Sequence, residues 1–390
     1  MPSQSRRALL VASVALCLVT AGIGALATVP TGPAAPATAP ERAASTPAGA
    51  PDPAIARLHD RGYTGANVSV GVVDVTGFDA DHPAVRSRVA ASRSFGDAPA
   101  SGNHGTAAAA VVSRIAPDAR LYLASFDDSA DYRDAVAWLE RQDVDVIVSP
   151  VSFFGRPGDG SSPVSRSATD AVRDGAVFVA PAGNVARGHW SGRYDRVEDG
   201  RLRFAGGTRN YLQGDARTVR AWLSWQGTGG SYALELYRTD GRRAERVARS
   251  TPVDDRPRTQ RLVARIDPGT HYLVVRGPAN ATGHRLTVSS PTARFQFGDA
   301  AGSLVAPATA RGVLAVGAYD RAERRVERFS ARGPTPDGRL GLDVVAPDRA
   351  SVRGVDGSFV GTSAAAPYAA GVAALLLDAD PERESPTIAN

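Results

Sequence analysis

Val68-Ser69-Val70-Gly71-Val72-Val73-Asp74 is a nearly unbroken run of β-branched residues that ends on a carboxylate. A run with so little polar alternation is expected to be covered on both faces, as the central strand of a parallel sheet is. The pattern continues outward in alternation. Residues 105–115 read as a small-residue helix, 120–124 as a strand, 132–142 as a helix and 144–148 as a second buried strand. Residues 165–174 and 176–180 repeat the helix–strand pair. Such alternation predicts an α/β fold: a parallel sheet with right-handed crossovers and helices on both faces, in three layers.

Between residues 189 and 297 the rhythm changes. Short period-two segments at 219–225, 232–237, 261–266, 271–275 and 285–288 are separated by turns such as Asp240-Gly241 and Asp267-Pro268-Gly269. They predict an inserted antiparallel β-sandwich-like domain. The α/β pattern resumes at 312–318 and closes with an apolar helix over 363–377. At the other end, Arg6-Arg7, an apolar stretch and Ala25-Leu26-Ala27 read as a signal peptide, with an uncleaved membrane anchor as the competing reading. Either one places the chain outside the cytoplasm. The expected organisation is a signal peptide (1–27), an Ala/Pro/Thr-rich linker (28–53) and the first part of the α/β domain (54–188). The inserted β domain (189–297), the second α/β part (298–380) and a polar tail (381–390) follow.

The 390 residues carry a net charge of +5, and all 45 basic residues are arginine. These are interspersed with Asp and Glu rather than clustered, which argues against nucleic acid as a partner. The single cysteine, Cys17, lies in the apolar N-terminal run, so disulfides and thiol chemistry are excluded from the rest of the chain. No acidic loop has calcium-like ligand spacing, so no cofactor is expected and a structural calcium has no support. A monomer is expected.

Three reactive side chains stand at the ends of regular elements. Asp74 terminates the first strand, His104 opens a helix in Asn103-His104-Gly105-Thr106, and Ser363 opens another in Gly361-Thr362-Ser363-Ala364-Ala365-Ala366-Pro367. Strand ends and helix starts converge at the carboxyl edge of a parallel sheet, where an Asp, a His and a Ser can serve as orienter, base and nucleophile. Taken singly, each residue has a commoner structural use, as a cap or an ion-pair partner.

Together, in the order Asp…His…Ser, they make the chain resemble the subtilase family of subtilisin-like serine peptidases, over most of residues 54–378 outside the β insert. Val179-Ala180-Pro181-Ala182-Gly183-Asn184 resembles the family's oxyanion block, and Gly361-Thr362-Ser363 its nucleophile segment. The resemblance implies an exported serine endopeptidase acting on protein or peptide substrates through an acyl-enzyme, with Asp74, His104 and Ser363 as a triad. It also implies an oxyanion hole from Asn184 and the Ser363 N–H. Gly105 and Gly361 are expected where a side chain would hold the reacting groups apart. One departure is the loop after the aspartate, Val75-Thr76-Gly77, which is one residue longer than usual. Ser152-Phe153-Phe154-Gly155 occupies the place of the family's substrate-binding strand, and Gly183 is a further substrate-binding candidate. It either pairs with an extended peptide or packs in the interior.

Overall fold

The computed structural model describes residues 52–98, 101–254, 256–355 and 357–380. The signal-peptide reading, almost all of the linker and the polar tail lie outside the described residues. A short helix, α1 (Pro53–Asp60), leads into the α/β unit. Its sheet comprises β1 (Ser69–Asp74), β2 (Val89–Ser94), β3 (Arg120–Ser125), β4 (Val146–Val148), β5 (Val177–Pro181), β6 (Leu314–Asp320), β7 (Arg325–Val326) and β8 (Val344–Pro347). The strand order is β7-β6-β5-β4-β1-β3-β2, with β8 also on β6. All pairs are parallel except β6 with β7.

The helices α2 (Asn103–Ile115), α3 (Ser129–Arg141), α4 (Pro163–Arg173) and α5 (Thr362–Asp378) cover the two faces. Val70, Val72, Leu121, Val146 and Val179 point to the face holding α2 and α5. Val73, Ala124, Ile147 and Phe178 point to the face holding α3 and α4. This alternation explains why the strands read as continuous apolar runs. α5 is buried on all sides, and its small residues allow close approach. A Cβ on Gly371 would meet the Ile115 Cβ of α2 at 2.6 Å.

The polypeptide between His189 and Phe295 forms two antiparallel sheets. One has the order Thr251–Val253, Arg256–Arg265, Thr218–Trp225, Arg285–Ser289, His189–Arg193. The other is built around Ala233–Thr239 and Thr270–Arg276. Their apposed faces supply Val219, Leu223, Leu286 and Val288 on one side and Leu234, Leu236, Leu273 and Val275 on the other. This is sandwich packing, as expected from the period-two segments. Ala244–Arg249 also forms a strand, although most of its residues are exposed and it carries no alternation to read.

Candidate active site

β1 ends at Asp74, which is fully buried. Its Oδ2 lies 2.6 Å from His104 Nδ1 at the start of α2. Its Oδ1 accepts hydrogen bonds from the Thr76 N–H at 2.9 Å and the Thr76 hydroxyl at 2.8 Å. The Thr76 oxygen in turn accepts the Gly105 N–H at 3.0 Å. Thr76 therefore ties the strand end to the helix start. The longer loop is absorbed by Val75, which is 40% exposed, while Asp74 keeps its register against Ser125 of β3. Gly105 is required by close approach, since a Cβ there would come within 2.3 Å of the Gly77 carbonyl oxygen and 3.1 Å of the Asp74 Cβ.

With Nδ1–H donating to the Asp74 carboxylate, neutral His104 carries its lone pair on Nε2. Burial lowers the imidazole pKa, but the hydrogen bond and negative charge of Asp74 outweigh it, so the pKa lies above the ordinary 6.5. The edge of the imidazole meets the Phe359 ring, with centroids 5.0 Å apart and planes at 84°. Phe359 sits in the short strand just before Gly361 and so links His104 to the start of α5.

At that start Gly361 has φ +106°, a conformation L side chains rarely adopt, and a Cβ would lie 2.7 Å from Asn184 Nδ2. The Thr362 N–H and hydroxyl both donate to Asn184 Oδ1 at 3.0 Å. The Thr362 oxygen accepts the Gly183 N–H at 3.2 Å. With Oδ1 engaged, the exposed Asn184 side chain keeps its Nδ2 hydrogens as donors. Ser363 follows in the first turn of α5, half-buried, where backbone N–H groups lack intrahelical acceptors and the helix end is positive. The arrangement therefore supplies a hydroxyl, an imidazole with a free lone pair and N–H donors around one edge of the sheet. Thr76, Thr362 and Phe359 were not anticipated from the sequence. The signal for the two threonines was a hydroxyl one or two residues from a reactive side chain.

The segment Ser152–Gly155 packs between the α/β unit and the β unit. The Phe153 N–H donates to the Ala306 carbonyl at 2.8 Å, and its ring stacks on Phe126 and meets Tyr132 in the core. Phe154 stacks on Trp222 of the β unit with centroids 5.0 Å apart, and its carbonyl accepts from Arg256. The Gly155 carbonyl accepts the Thr259 hydroxyl at 3.2 Å. The Phe153 N–H and the Phe154 and Gly155 carbonyls are thus bonded to the rest of the chain, and Ser152 precedes them half-buried. Gly183 has φ +107°, lies against Val305 and holds Thr362 and Ala331 through its own N–H and carbonyl. Among the described residues no group of three or more His, Cys, Asp or Glu side chains is placed to hold a metal ion.

Comparison with known proteins identifies the family. Residues 65–212 and 255–389 match the family model described as the subtilase family. Subtilisin E of Bacillus subtilis (strain 168) is 34% identical over 162 residues, covering 37% of this chain and 41% of that protein. Subtilisin of Bacillus pumilus is 34% identical over 145 residues, covering 33% of this chain and 51% of that protein. The chain thus spans about half or less of the length of these relatives. Among solved structures, the Clostridium perfringens CspB protease superposes with a TM-score of 0.58 at 19% identity, covering 84% of each chain, which is a likeness of fold. The family match runs over most of the chain, and the chain belongs to the subtilase family of serine peptidases.

Proposed function

We propose that the protein is an exported serine endopeptidase that cleaves polypeptides through an acyl-enzyme. The observation that carries this reading is the Asp74–His104 hydrogen bond, set beside a helix start that Thr362 fastens to Asn184. Ser363 Oγ attacks the scissile carbonyl while His104 Nε2 takes its proton and later returns it to the leaving amine. Asp74 holds the tautomer that leaves Nε2 unprotonated and stabilises the imidazolium. Asn184 Nδ2 and the Ser363 N–H receive the negative oxygen of the tetrahedral intermediate. Water then attacks the acyl-enzyme, with His104 acting as base again. Export rests on the charged, apolar and A-x-A pattern of residues 1–27. Among the described residues, no helix is long and apolar enough to cross a membrane.

The direct test is hydrolysis of casein by the parent and by Ser363→Ala. Turnover in the parent and none in the variant supports the assignment. Equal turnover in both, or none in a folded parent, overturns it.

The oxyanion role of Asn184 has its own signature. Asn184→Ala is expected to lower kcat by about 10²- to 10³-fold with KM little changed. Because Asn184 Oδ1 also anchors Thr362, Asn184→Asp separates the two roles, keeping the acceptor and losing the donor. Its kcat is expected to fall at least as far. Recovery of activity in Asn184→Asp shows instead that Asn184 acts only by holding Thr362.

A further inference from the structure

The sheet of the β unit that faces the catalytic unit is mostly polar on its outer side, with Trp222 and Val263 as apolar members of that face. Its register places Thr259, Ser224, Thr287 and Ser191 side by side across four strands. At a spacing of about 4.8 Å per strand, that is a row of hydroxyls about 14 Å wide. On one side of the row, Arg285 and Arg193 sit directly opposite each other on adjacent strands. On the other side are Ser289 and His189. The alternate residues of the same strands, such as Leu223, Leu286 and Val288, fill the sandwich core. The polar face is therefore a consequence of period-two patterning, and it overlooks a groove against residues 155–163 and 301–305 of about 1410 Å³.

Three features set this groove apart from an ordinary domain seam. Like charges directly opposed on a sheet destabilise it, yet Arg193 and Arg285 form no ion pair among the described residues; Arg193 instead donates to the Gly283 carbonyl. Arg258 and Arg133 also line the groove without an ion pair among the described residues, and Asp128, Asp159 and Asp299 are the acidic residues on its wall. His189, only 2% exposed, donates from Nδ1 to the Asp299 carbonyl at 2.7 Å, while its Nε2 has no partner among the described residues. Burial lowers its pKa, outweighing the hydrogen bond to and the charge of Asp299, with the Arg285 charge acting in the same direction as burial, so the imidazole is neutral and Nε2 is an acceptor. The groove is also larger than the range of about 300–1,000 Å³ usual for small-molecule sites.

Its position indicates what would enter. The groove touches none of Asp74, His104 and Ser363, but Val305 lines it and packs on Gly183 beside Asn184. A polypeptide engaged at the candidate active site therefore has the groove next to it. We propose that this groove is a specificity site for an acidic stretch of the polypeptide substrate, with carboxylates held by Arg193 and Arg285 and main-chain N–H groups received by His189 and the hydroxyl row. The inference rests on the peptidase reading for the identity of its ligand. Charge-assisted hydrogen bonds to guanidinium groups supply the discrimination between Glu and Gln.

The test uses the full chain carrying Ser363→Ala and a dye-labelled Glu-rich peptide, with its Gln counterpart as control, followed by fluorescence anisotropy. The Glu peptide is expected to bind at least about tenfold more tightly, equivalent to about 1.4 kcal/mol. The double variant Arg193→Gln/Arg285→Gln is expected to abolish that preference, and Arg193→Lys/Arg285→Lys to retain much of it. Circular dichroism confirms that each variant is folded. Equal binding of the two peptides, or a preference that survives the Gln substitutions, overturns the proposal. So does a sulfated polysaccharide binding the groove when neither peptide does. Cleavage of casein with no Glu preference refutes the groove alone. Glu-selective binding by a chain that cleaves nothing refutes the peptidase reading alone.

Discussion

His104→Ala is expected to lower kcat for peptide hydrolysis by about 10⁶-fold, the scale seen when one member of a triad acting as a unit is removed. In the proposed mechanism the imidazole carries both proton transfers, and among the described residues no other titratable side chain bonds Asp74. The same change takes from the buried Asp74 Oδ2 its hydrogen bond, while Thr76 continues to satisfy Oδ1. An orphaned buried acceptor costs about 1–3 kcal/mol, so thermal unfolding should move down modestly while activity collapses. Progress curves and a melting curve on the same preparation read both. Substantial residual turnover with an unchanged melting point excludes His104 as the base.

Asp74→Asn is expected to reduce kcat by about 10⁴-fold through the tautomer rather than through the fold. The asparagine oxygen can still accept both Thr76 bonds, so the local geometry survives. Its amide then faces His104 Nδ1 as a donor, Nδ1 becomes the acceptor, and the proton moves to Nε2, where the base lone pair is needed. The pH profile supplies a second readout. In the parent, Asp74 lifts the His104 pKa above 6.5 against the opposing effect of burial, and the base works only when neutral. Parent kcat/KM should therefore rise with pH along a limb centred above 6.5, which reports the free enzyme. Without the carboxylate charge, burial alone acts and the limb of the residual activity moves to lower pH. A variant whose acid limb stays in place shows that Asp74 does not face His104 during catalysis.

The parts legible in the sequence are those where one residue type answers one physical demand. The 68–74 run announced a doubly covered strand because both of its faces meet helices. Gly105 and Gly361 were legible as close approaches, and the distances a Cβ would make bear this out. Helix starts set by a cap are less legible, because the cap precedes the apolar periodicity. α3 begins at Ser129 behind the Asp128 capping box, and α4 at Pro163 behind Ser162, both ahead of the first clear apolar periodicity. The segment around Phe153 was ambiguous because a strand edge and a core aromatic share the same local pattern. The stacking of Phe154 on Trp222, about 70 positions away, is absent from the local pattern. The row of hydroxyls facing the catalytic unit was equally out of reach, since it depends on the register of four strands and not on any one of them.

The most direct measurement is reaction of the folded, full-length protein with a fluorophosphonate, followed by peptide mass mapping. The account predicts one stoichiometric adduct on Ser363, lost in His104→Ala, because only a hydroxyl beside a free imidazole lone pair is activated. An adduct on a different serine, or no adduct on folded protein, contradicts it.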